Sequence, residues 1–144
     1  MTRKIFWIEP LFFLLFGMFH LHRLWALMDG PAYADFWLGV LEERGATYFG
    51  LMGVLVLLCV AGLSVFFRTR RPWWRWLYLL GGGYVLFDLA AIAAGWEVWD
   101  SLLRWMFDVD NPAWNWLWGG FSGLGLLSLL FGICLLYQKI NMKE

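Results

Sequence analysis

Four ionisable residues stand in apolar surroundings where charge is expensive: Glu9, His20 and Arg23 in one stretch, Asp88 in another. Such groups within hydrocarbon turn towards protein or a water-filled path, and are kept for a partner or a function. At about 100° per residue, Glu9, Phe13, Phe16, His20, Arg23 and Leu27 share one helical face. Gly81, Tyr84, Asp88, Ala91 and Gly95 line up in the same way, on a face of mostly small residues that another helix can approach closely. A rise of about 1.5 Å per residue puts His20 and Asp88 each within roughly 5 Å of a bilayer midplane. Arg23 lies one turn further along, with a side chain long enough to reach Asp88. The expected centre is therefore His20, Arg23 and Asp88, with Glu9 and Tyr84 secondary. An Asp88 oxygen is expected within hydrogen-bond reach of His20 or Arg23, directly or through one water.

Two chemistries suit this trio. One is a structural lock, in which a buried charge pair fixes helix register whether or not it stabilises. The other is a proton or cation site, because histidine titrates near neutrality. Metal chemistry is not expected, since His20 and His22 stand at i and i+2, about 200° apart on a helix. They cannot share one ion, and the sequence has no third histidine for haem or another cofactor. Cys59 and Cys134 each lie inside an apolar run without a C-x-x-C motif, and read as small buried hydrophobes. There is no G-x-S-x-G, no H-E-x-x-H and no glycine-rich phosphate loop. Gly81-Gly82-Gly83 falls within an apolar run, where close helix packing accounts for it. The chain does not read as an enzyme.

The elements that must hold these residues follow from composition. Of 144 residues, 62% are hydrophobic and 15% charged, more apolar than one soluble core can bury. Crossing a bilayer takes about 20 apolar residues, and runs at 8–28, 47–67, 76–95 and 115–137 qualify. Pro10 sits in the first turn of its run, while Pro31, Pro72 and Pro112 fall between runs. The fold class is thus all-α integral membrane, a four-transmembrane-helix bundle forming a single domain over 1–144.

Charge placement orients it. Arg3 and Lys4 precede the first run, Arg68, Arg70, Arg71 and Arg75 crowd the second link, and Lys139 and Lys143 follow the fourth run. The other two links carry Arg44 and Arg104 among Asp29, Asp35, Glu42, Glu43, Glu97, Asp100, Asp108 and Asp110. Positive charge stays on the cytoplasmic side, so N-in, C-in follows, in a bacterial-type plasma membrane. The basic link at 68–75 could meet anionic lipid, but orientation alone accounts for it. A net charge of zero gives no sign of nucleic acid. The first run superficially fits a signal peptide ending at Ala32-Tyr33-Ala34, but Glu9, His20, His22, Arg23 and Asp29 make it too polar and too long, so it is expected to be retained.

Between the runs, Tyr33, Phe36, Trp37, Val40 and Leu41 recur at helical spacing within 33–45, as do Trp99, Leu102, Leu103, Met106 and Phe107 within 96–107. Each reads as a short amphipathic helix on the extracytoplasmic interface, capping the bundle. The twelve tryptophans gather at run ends and between runs, the pattern of an interfacial aromatic belt. A shift of 70 places Gly50 and Gly53 on Gly120 and Gly123, a faint sign of two similar halves.

The functional expectation is a non-catalytic accessory or scaffold subunit, or a lipid-interacting module. Its partners would be membrane lipid and either another membrane protein or copies of itself. The alternative is a small oligomeric proton- or cation-linked transporter or channel using the His20, Arg23 and Asp88 cluster. A redox subunit ranks third.

Overall fold

A computed structural model describes residues 5–70 and 72–141, and among these every regular element is helical. Arg3, Lys4, Arg71 and Lys143 of the orientation argument lie outside the described residues. The order is α1 (Ile8–Leu21), α2 (Leu24–Met28), α3 (Gly30–Glu43), α4 (Ala46–Arg68), α5 (Arg75–Leu77), a π-helical turn (Tyr78–Gly82), α6 (Gly83–Ala94), α7 (Glu97–Met106) and α8 (Trp114–Asn141). Four stretches are long and apolar enough to cross a membrane: Ile8–Met28, Ala46–Arg68, Arg75–Ala94 and Trp114–Asn141. The end at which the first span begins and the last finishes is called proximal below, and the opposite end distal.

The first and fourth spans form the most intimate pair. Glycine makes this possible. A Cβ on Gly17 would lie 2.7 Å from the Leu129 amide nitrogen, and one on Gly125 2.6 Å from that of Leu21. One on Gly132 would meet the Leu14 nitrogen at 2.9 Å. These neighbours are backbone atoms, which cannot swing aside, so small residues set the interhelical distance. Ser128 adds a hydrogen bond to the Phe13 carbonyl at 2.9 Å. Gly50, Gly53, Gly120 and Gly123, which carried the hint of an internal repeat, face open space instead.

The second span packs against the π turn and α6, and touches the first span through Gly62, whose place beside the Phe12 ring admits no Cβ. Phe12, Phe13, Leu58, Tyr78 and Leu135 form the proximal core, with Phe16, Trp74 and Phe131 against them. Phe131 meets both Phe13 (ring centroids 4.7 Å apart) and Trp74 (5.9 Å), so the start of the third span reaches the fourth here. Distally, α6 and α8 make no comparably extensive contact among the described residues.

Two of the links are helical. Asp29 caps α3 by accepting from the Ala32 N–H at 3.1 Å, which starts this helix earlier than its apolar periodicity alone predicts. Tyr33 and Ala34 are buried with Ala26, Phe107, Trp114 and Trp118 in a second, distal core. Two tryptophans counted towards an interfacial belt are therefore core residues: Trp118 is 1% exposed, and Trp114 is buried with its indole N–H donating to the Ala26 carbonyl at 3.0 Å. Gly95 ends α6 in a left-handed conformation (φ 65°) that glycine adopts without strain. Arg44 donates to the Ile92 carbonyl at 3.2 Å, satisfying an acceptor of that helix end. Arg104 joins α7 to α3 by reaching both Asp100 (3.0 Å) and Glu42 (3.8 Å), and its Asp100 partner raises its pKa.

Candidate functional site

The sequence expects one continuous helix through His20 and Arg23, but the first span breaks between α1 and α2 at His22 and Arg23. The cause is local. The His22 ring Nδ1 donates to the Phe19 carbonyl, the acceptor that the Arg23 amide would use in an α-helix. Arg23 N–H turns to the His20 carbonyl instead (3.2 Å), and Trp25 and Ala26 repeat this i→i−3 pattern. A tightened turn brings residues i and i+3 towards eclipse, so His20 and Arg23 stay one above the other, both against Phe19 and Phe121.

His20 is buried among aromatic rings, 4.3 Å from Phe16 and 5.9 Å from Phe121 between ring centroids. Arg23 turns instead into a cavity of about 210 Å³ in the distal half. Residues of all four spans line it, roofed by α3 and α7. Arg23, Asp88 and Tyr84 all face it, while His20 does not. His22 also lines it, against Trp37 (5.2 Å) and Tyr33 (5.9 Å) of the roof.

The hydrogen bond of Asp88 goes to a residue the sequence reading assigned only to the interface. Trp99 Nε1 donates to Asp88 Oδ1 at 2.6 Å, tying the roof helix α7 to the third span. No hydrogen bond or ion pair joins Asp88 directly to Arg23 or His20 among the described residues. Arg23 lies over aromatic faces, 4.2 Å from the Phe121 centroid and 5.8 Å from that of Trp118, a setting worth about 0.5–2 kcal/mol to a cation. Its Nη1 has no hydrogen-bond partner, nor have the indole nitrogens of Trp37 and Trp118 or His22 Nε2. Burial pushes the Tyr33 phenol up to about 12, against the pull of the Arg23 guanidinium. One signal in the sequence could have found Trp99: an N–H donor on the segment that folds back directly after Asp88's helix.

Glu9 belongs elsewhere. It is fully buried at the proximal end, where its carboxylate accepts from the Phe6 N–H (2.9 Å) and the Tyr78 hydroxyl (3.4 Å). This caps the start of α1 and ties it to the π turn. Nearby, Lys139 lies within α8 rather than beyond it, bonded to the Ile5 carbonyl and 4.7 Å from the Trp7 ring. No group of three or more His, Cys, Asp or Glu side chains among the described residues could hold a metal ion.

The cavity is partly open to the outside. Tyr84 lines it yet is 46% exposed. A mostly apolar chamber with a few converging polar groups is the usual form of a small-molecule site. No protein-family model, no curated protein and no solved structure matches the chain.

Proposed function

We propose that this small membrane protein is a non-catalytic, lipid-interacting module that admits part of a bilayer amphiphile into its distal cavity. The observation that carries the reading is a partly open, mostly apolar cavity lined by all four apolar spans, with the exposed Tyr84 in its wall. Exposed Trp7, Trp73 and Trp76 near one end and Trp96, Trp105 and Trp116 near the other suit headgroup-level anchoring. The transporter alternative draws on Arg23 and Asp88 facing the cavity. Against it stands the proximal core, where Phe12, Phe13, Tyr78 and Leu135 fill the space that an ion path would need.

Native mass spectrometry of protein released from lipid nanodiscs tests this reading. One lipid per chain should persist at energies that strip the surrounding lipids, and Leu55→Trp, which fills the cavity, should lose it. No retained lipid, together with an Asp88-dependent proton flux in proteoliposomes, would replace the reading with the transporter. The orientation proposed with it is N-in, C-in in a bacterial-type plasma membrane. Reporter fusions after Gly30 and Pro112 should read outside, and one after Arg71 inside. An inside signal at Gly30 would overturn the orientation.

A further inference from the structure

We infer that the cavity selects a zwitterionic headgroup, an anionic phosphate beside a primary ammonium as in phosphatidylethanolamine; this rests on the lipid-binding reading above. An arginine and an aspartate face one cavity without a direct hydrogen bond or ion pair between them. Arg23 keeps its positive charge at any accessible pH, and its Nη1 is left without an acceptor. Asp88 gives one oxygen to Trp99, and its other oxygen has no hydrogen-bond partner among the described residues. A ligand bearing a single negative charge would satisfy Arg23 but be repelled by Asp88. One bearing a single positive charge would meet the reverse. A headgroup with both charges answers both sites.

Size and depth fit the same ligand. A cavity of about 210 Å³ is smaller than the roughly 300–1,000 Å³ that encloses a drug-sized molecule. It therefore holds a headgroup while the acyl chains leave through its opening. Arg23 and Asp88 stand five and six residues from the distal ends of their spans, at Met28 and Ala94. That places both about 8 Å below those ends, so the headgroup must be drawn inward from its ordinary level. Such a descent needs polar partners waiting inside, which these residues supply.

The test compares retained lipid from nanodiscs of phosphatidylethanolamine and of phosphatidylglycerol, which have the same phosphate but only one of which has an ammonium. Wild-type protein should retain phosphatidylethanolamine at least five-fold more often. Asp88→Asn should reverse or erase that preference, and Arg23→Gln should lower retention of both lipids. Free phosphoethanolamine at millimolar concentration should not displace the lipid; displacement would assign the site to a soluble zwitterion and overturn the lipid source. Equal or greater retention of phosphatidylglycerol by the wild-type protein overturns the headgroup assignment but leaves lipid binding standing. Retention of neither lipid overturns the lipid-binding reading itself. The wild-type comparison decides the matter even if Asp88→Asn fails to fold.

Discussion

Gly125→Leu is expected to push the first and fourth spans apart and to destabilise the protein by about 3 kcal/mol. A Cβ there falls 2.6 Å from the Leu21 nitrogen and 2.9 Å from the Gly17 carbonyl oxygen, so even one added carbon overlaps backbone. The rest of a leucine side chain can be placed only by separating the helices. Separation would also loosen the facing contacts at Gly17 and Gly132 and the bond from Ser128 to Phe13. Gly123→Leu is the internal control, because that glycine lies on the same helix with nothing within 4 Å of its would-be Cβ. Unfolding in a graded mixture of mild and denaturing detergent measures both. Equal midpoints for the two variants would contradict the packing described.

Asp88→Leu should cost on the order of 3 kcal/mol, because it removes the negative charge nearest a cation that cannot lose its proton. It also takes the acceptor from Trp99 and so loosens the hold of α7 on the third span. Adding Arg23→Leu should recover much of that loss, since no unbalanced charge then remains in the cavity. The recovered double variant should fold yet retain no lipid, which separates the role of the charges in stability from their role in binding. The same detergent titration reads the coupling between the two sites. Strictly additive losses would mean that Asp88 matters to the fold through Trp99 alone.

How much of this could be read before folding differs from residue to residue. The four spans were legible because hydrocarbon sets a minimum length of apolar sequence, and proline marks where helices do not continue. Asp29 and Pro31 opening α3, and Gly95 closing α6, are local signals of the same kind. That Arg23 and Asp88 should lie near each other in depth also followed from counting residues along two helices.

Other features depended on groups that are distant in sequence or that compete for one partner. The first span was interrupted at His22 and Arg23 because the His22 ring takes a carbonyl that periodicity assigns to the backbone. The π turn at Tyr78–Gly82 puts Gly82 against the Cys59 backbone and leaves Gly83 facing open space, a choice that a run of three glycines leaves open. Trp99 as the partner of Asp88 required α7 to fold back over the third span. Trp114 and Trp118 look the same in sequence as the exposed tryptophans, and only the distal core distinguishes them. Apolar length and end-capping are properties of one segment, so the sequence by itself determined the helices and their order. The cavity, its opening and the separation of its two charges arise from how segments pack, so only the tertiary structure decided them.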